Sequence, residues 1–213
     1  MAAALLRVLR LVERDGQRCG GPVLLVGFVL GAGVVQLASG PLGQTSRFSL
    51  ELLLLLMLKL TGPLLVAILA MALLLPFWIS RPQPAARSAL PLTVAAAALT
   101  GGLLQLLLML AAVGGGLLAS PRADLLGEWR DLLSGLQPVD LLRSMVRAAL
   151  FLAAICAWTR WRSGNSTRSD PRSDHGLTLF PSNLLVEGLM VLMTLKLAWI
   201  MAIEPLNLSS SPQ

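Results

Sequence analysis

The sequence predicts an all-α integral membrane protein with about five transmembrane helices and an N-terminal interfacial helix, forming a single membrane domain over residues 1–213. Composition is the first reason. Of the 213 residues, 55% are hydrophobic and only 13% are charged, and the mean hydropathy of +0.75 leaves too little polar surface to cover the chain in water. The second reason is a series of long apolar runs, the most hydrophobic of them at 48–78. The third is that arginine gathers in alternate connections between those runs, as it does on the cytoplasmic side of membrane proteins.

The formal charge of +6 does not indicate nucleic acid. The arginines sit beside apolar spans rather than in one basic patch with aromatic platforms, so no nucleic-acid partner is expected. Cys19 and Cys156 share no motif with the single His175, and neither a disulfide framework nor a zinc site follows. No cofactor is expected.

Residues 1–18 read as a basic amphipathic helix lying in the membrane interface. Arg7, Arg10, Arg14 and Arg18 recur at steps of three and four, while Leu5, Leu6, Val8, Leu9 and Val12 fill much of the remaining surface. A signal peptide is the competing reading. The first apolar run is short and arginine-interrupted, however, and no small-residue cleavage site follows it. Residues 22–38 form the first span, in which Gly27 and Gly31 mark a face where another helix can approach closely.

The second apolar stretch, 48–78, is longer than a bilayer requires. As one helix its 31 residues would reach about 46 Å against a hydrocarbon core of roughly 30 Å. It must tilt, bend or divide. Pro63 removes a backbone donor and clashes with the carbonyl four residues earlier, so a kink is expected between Lys59 and Pro63. After a proline-rich connection bearing Arg81 and Arg87, the third span runs over 90–119, with Gln105 inside it and a helix-weakening Gly114-Gly115-Gly116 near its end.

Residues 120–139 change character. Asp124, Glu128, Arg130 and Asp131 alternate at helical spacing with Leu125, Leu126, Trp129, Leu132 and Leu133, which predicts an amphipathic segment on the membrane surface. Asp140 is placed to cap the fourth span, 141–161, with Arg143 and Arg147 in its first turns. A polar loop at 160–176 leads to the fifth span, 183–204, which carries Glu187 and Lys196.

Arginine counting orients these spans. With the N-terminus cytoplasmic, ten arginines (7, 10, 14, 18, 81, 87, 160, 162, 168 and 172) lie inside, and Arg47, Arg122 and Arg130 lie outside. The C-terminus and the 120–139 segment are then extracytoplasmic.

This order of elements, with Leu58-Lys59-Leu60-Thr61-Gly62-Pro63-Leu64 in the second span, resembles the MlaE/YrbE-type permeases of lipid-transporting ABC systems. The family's motif there typically reads Leu-Arg-Glu-Leu-Gly-Pro-Val, so Leu58, Gly62 and Pro63 match, Lys59 keeps the charge, and Leu60 replaces an acid. The entry to the fourth span, Gln137-Pro138-Val139-Asp140 followed by Arg147-Ala148-Ala149-Leu150-Phe151, is similar to the family's as well. The resemblance implies phospholipid transport in a bacterial or plastid inner membrane. It further implies an ATP-binding partner subunit, an MCE-type lipid-shuttling protein, and a homodimer or a heterodimer with another permease chain.

One departure bears on coupling. The permeases carry a cytoplasmic ATPase-docking segment between the second and third spans, and here only residues 80–89 remain, with Pro82 and Pro84 opposing a helix. The resemblance therefore implies a shortened member that pairs with a complete permease or docks through Arg81, Arg87, Arg160 and Arg162.

The chain lacks a phosphate-binding loop, a His-Glu-x-x-His pair and a Gly-x-Ser-x-Gly elbow, so no enzyme activity is expected and the energy for transport comes from another chain. Two other functions fit the residues. A scaffold or assembly subunit needs only spans with small-residue faces, and a secondary transporter needs ion sites at broken helices, usually in repeated halves. The candidate lipid site comprises Lys59, Thr61, Gly62, Pro63 and Lys196, two cations reaching mid-depth beside a broken turn that exposes backbone donors. Snorkelling of the lysines, or an ion pair with an acid on another helix, is the plainer account.

Overall fold

The computed structural model describes residues 2–39, 57, 61–80, 90–119, 138–166 and 176–208. Among them every regular element is helical: α1 (Ala2–Ser39), α2 (Gly62–Ser80), α3 (Leu90–Ala119), α4 (Pro138–Ser166) and α5 (Gly176–Leu208). The protein is all-α and has the helices of an integral membrane protein. Among the described residues, four helical stretches are long and apolar enough to cross a bilayer: Leu5–Leu37, Leu90–Ala119, Pro138–Arg162 and Asn183–Met201. Of the second expected span, 48–78, the described residues include the apolar helix Gly62–Trp78, and 48–56 and 58–60 lie outside the described residues. The expected amphipathic segment at 120–139 lies outside the described residues except for Pro138 and Val139, which open α4.

The largest difference from the sequence reading is at the N-terminus. Residues 1–18 and 22–38 were expected as two elements, an interfacial helix and a span, but α1 runs unbroken through Pro22. Packing explains the continuity. Val8, Val12, Asp15, Cys19, Val23, Gly27, Gly31 and Val35 are all buried and recur every three or four residues, so one stripe extends the whole length of the helix. Pro22 stands exposed, off that stripe. At 1.5 Å per residue the 38 residues of α1 span about 57 Å, well beyond the hydrocarbon thickness.

The stripe of α1 packs against α3, and the two run parallel. Val8 and Val12 meet Ala96 and Leu92 at one end, and Gly31 meets Ala112 toward the other. Gly31 is required there, because a Cβ would collide with the Ala112 carbonyl. In lipid, burying apolar surface between helices gains little, so close backbone approach at small residues carries much of the association. The same contact accounts for the triple glycine. Gly115 lies under the Phe28 backbone, and α3 stays helical to Ala119 despite the weak propensity of Gly114-Gly115-Gly116.

α4 runs antiparallel to α3, with Ser144 beside Gln105, Ala148 and Leu152 against Gly101, and Cys156 near the Thr93 carbonyl. α5 runs antiparallel to α4, with Trp199 beside Arg147 and Glu187 beside Arg162. α2 packs between these layers, Met71 against Gly188 of α5 and Phe77 against Arg18 of α1. Asp140 was expected as the cap of the fourth span. The helix instead opens at Pro138, whose missing N–H suits the first position, and Asp140 lies inside the first turn, where its charge complements the helix dipole.

Candidate functional site

The start of α2 meets a polar side chain of α3 inside the bundle. Thr61 precedes the helix, and its carbonyl accepts the Leu65 N–H at 2.9 Å, closing the first turn. Pro63 fits this turn because the first N–H groups of a helix have no intrahelical acceptor. Gly62 is buried so tightly that a Cβ would collide with the Met57 carbonyl and stand 2.6 Å from Nε2 of Gln105. Thus the Gly-Pro of the second apolar stretch begins a helix, against a polar side chain of α3.

Gln105 continues the polar contacts into α4. It is 0% exposed, and its Nε2 donates to Oγ of Ser144, itself 1% exposed, at 2.9 Å. Its Oε1 has no hydrogen-bond partner. Three residues along α4, the Arg147 guanidinium carbon lies 5.2 Å from the centroid of the Trp199 ring on α5. Half-buried Lys196 precedes Trp199 by one turn. Gly62 and Gln105 thus join α2 to α3, Gln105 and Ser144 join α3 to α4, and Arg147 and Trp199 join α4 to α5.

Further charged and aromatic groups lie elsewhere in the helices. Arg162 and Glu187 pair at 3.2 Å with both side chains substantially solvent-accessible, while Arg160 is buried, and the Trp158 and Trp161 rings lie 5.2 Å apart. Arg18 stacks over Phe77 at 3.6 Å. Between α1 and α3 an apolar cavity of about 270 Å³ is bordered by Val12, Gly16, Thr100, Leu103, Leu107 and Leu110. Its one polar side chain is already engaged, since the Thr100 hydroxyl donates to the Ala96 carbonyl at 2.9 Å. Such a space suits an alkyl segment.

The residues singled out from the sequence are placed unevenly. Thr61, Gly62 and Pro63 meet the bundle interior as just described, whereas Lys59, Arg81 and Arg87 lie outside the described residues. Gly62 lies against Gln105 of α3, whereas Lys196 lies on α5, one turn before Trp199. Arg7, Arg10 and Arg14 are exposed along α1, and Arg18 is half-buried on Phe77. Cys19 and Cys156 are both buried and form no disulfide. Among the described residues no three His, Cys, Asp or Glu side chains come together.

Sequence reasoning passed over Ser144 and Trp199 as site residues, and over Asp15, which is 4% exposed. Gln105 was noted only as a polar residue inside an apolar span, and Arg147 only as a cation in the first turns of the fourth span and in the stretch that resembles the family's entry to it. That was the available signal, because a polar side chain in a membrane helix usually turns inward to find a partner.

No protein-family model, curated protein or solved structure matches the chain.

Proposed function

We propose that this chain is the permease-like membrane subunit of an ABC-type phospholipid transport system, which moves lipid between membranes using ATP hydrolysis supplied by another chain. One observation carries the reading. The stretch that resembles the MlaE-type motif begins a buried helix at Gly62-Pro63, and it does so against Gln105 inside the bundle. Membrane proteins admit irregular backbone at depth where it is buried in protein, commonly beside a substrate path, and the bend at Thr61 ahead of α2 fits that pattern. The alkyl-sized cavity at Thr100 is compatible with a lipid cargo.

In this reading five spans lie in a bacterial or plastid inner membrane, with the N-terminus cytoplasmic and the C-terminus extracytoplasmic. The parallel pairing of α1 with α3, and the antiparallel pairings of α3 with α4 and α4 with α5, agree with alternating crossings. Arg81, Arg87 and Arg162 then share the cytoplasmic side, where they contact the ATP-binding subunit, whereas Arg160, expected there as well, is buried within the helices. An MCE-type protein receives or delivers the lipid, and a second permease chain, identical or different, completes the transporter.

A non-transporting scaffold is the second reading, favoured by the close glycine contacts at Gly31 and Gly62 that seal helix against helix. Purification from native membranes in mild detergent, with identification of the partners, separates the two. Recovery of an ATPase together with an MCE-type protein is expected for the permease. Recovery of neither would leave the scaffold.

A further inference from the structure

The parallel helices α1 and α3 touch at two levels and stand apart between them. Toward their N-terminal ends Val8 and Val12 pack with Ala96. Further along, Gly27 lies so close to α3 that a Cβ would stand 2.7 Å from the Leu108 carbonyl oxygen and 2.9 Å from the Ala111 Cβ. Gly16 and Gly20 fall between these closures and differ from Gly27. A Cβ on Gly16 would meet nothing within 4 Å, and one on Gly20 would meet only the tip of Leu107, at 3.8 Å. Close helix contact therefore does not require these two glycines. At Gly16 the missing side chain instead leaves open the cavity of about 270 Å³ that Val12, Thr100, Leu103, Leu107 and Leu110 border.

Water is a poor occupant of this space. The walls are apolar and the Thr100 hydroxyl already donates to the Ala96 carbonyl at 2.9 Å, so a water molecule would lack the polar partners that hold buried water. Left empty, the walls would forfeit dispersion contacts on one side. Both helices are long and apolar enough to cross a bilayer, and Leu103 and Leu110, exposed at the edge of the cavity, open it toward lipid. The exposed charged residues of α1 are Arg7, Arg10, Glu13 and Arg14, whereas Leu24, Leu25, Phe28 and Val29 are exposed further along the helix. The cavity thus begins where the outer face of α1 passes from charged to apolar, the level at which phospholipid headgroups give way to their chains.

We propose that this cavity seats an acyl chain of a membrane phospholipid, lying between α1 and α3 with its headgroup at the level of Arg10, Glu13 and Arg14. A hydrocarbon chain, which makes no hydrogen bonds, matches walls that offer none. A helix of a partner protein, about 10 Å across with its side chains, is too wide for a space of this size closed at both ends. The seating goes beyond the permease reading, since it requires only that α1 and α3 lie in a bilayer.

The test uses the full chain reconstituted in phosphatidylcholine vesicles that carry a trace of phosphatidylcholine with a diazirine in one acyl chain. After irradiation, lipid adducts are mapped on the digested chain by mass spectrometry. Expected is a higher adduct yield at Leu103 and Leu107 than at Leu25 and Val29, which are exposed without bordering the cavity. A yield at Leu103 and Leu107 no higher than at Leu25 would overturn the seating. Gly16→Leu, which fills the cavity, should lower the yield at Leu107 about fivefold or more and leave that at Leu25 unchanged. An undiminished yield at Leu107 in this variant would overturn the site, and should the variant fail to assemble, the wild-type comparison decides. In native membranes a photoreactive residue in place of Leu103 should capture lipid; capture of a protein chain instead would overturn the lipid as occupant. Labelling is read without nucleotide or ATPase. Loss of transport with labelling intact strikes the permease reading alone, and an unlabelled cavity with transport intact strikes this site alone.

Discussion

Gln105 and Ser144 join α3 to α4 by a 2.9 Å hydrogen bond in which both side chains are buried and the Gln105 carbonyl oxygen has no partner. The bond therefore comes with an orphaned acceptor, and the two partners should respond differently to removal. Ser144→Ala strands the whole amide and should destabilise the helices by about 1–2 kcal/mol, near the upper range for polar contacts between membrane helices. Gln105→Leu removes donor and orphan together and should be close to neutral. Thermal unfolding of the detergent-solubilised chain, followed by size-exclusion chromatography, measures both. Equal destabilisation would show that the amide has a further partner.

Gly62 should tolerate no side chain. Its position against the Met57 carbonyl and the Gln105 amide means that Gly62→Val must displace backbone, an effect of about 1–3 kcal/mol for overpacking of this kind. Gly33, where an added Cβ would meet nothing within 4 Å, is the matched control: Gly33→Ala should leave yield and melting temperature unchanged. Assembly assays on the two variants side by side check this.

The Arg162 and Glu187 pair is exposed enough that its contribution to folding should be small. Arg162→Gln should alter stability by less than about 1 kcal/mol, and added salt should reduce even that. If Arg162 contacts the ATP-binding subunit, the same variant should nonetheless weaken its co-purification. Unfolding midpoints and pull-down yields, measured on one preparation, separate the two roles.

The exposed arginines of α1 offer a test of membrane seating. Near an anionic leaflet each contributes up to about 1 kcal/mol, so Arg7, Arg10 and Arg14 changed together to Gln should lower membrane integration or disturb topology. Protease protection in vesicles reads the outcome. Wild-type integration and topology in the triple variant would remove these side chains from any membrane role.

Helical class and the positions of the apolar helices were legible in the sequence because bilayer solvation imposes long apolar runs; the kink expected between Lys59 and Pro63 falls partly outside the described residues, which show α2 beginning at Gly62. The continuity of α1 was not. Periodic burial from Val8 to Val35 depends on α3 being alongside, and a local reading gave Arg18 and Pro22 the weight of a boundary. Site residues were legible by type rather than by partner. Gln105 and Arg147 stood out as polar groups in apolar helices, but their partners Ser144 and Trp199 lie 39 and 52 residues away in the chain, beyond the reach of spacing arguments.

ATP-driven lipid transfer by a complex containing this chain is the central claim, and transfer between vesicles measures it most directly. Donor vesicles carry the complex purified from native membranes and a fluorescent anionic phospholipid, and acceptor vesicles report its arrival. Expected is transfer that requires ATP hydrolysis and falls to background when Lys59→Met and Lys196→Met are combined in a complex that still assembles. Transfer that proceeds equally without ATP, or a purified assembly that contains no ATPase and transfers no lipid, would contradict it.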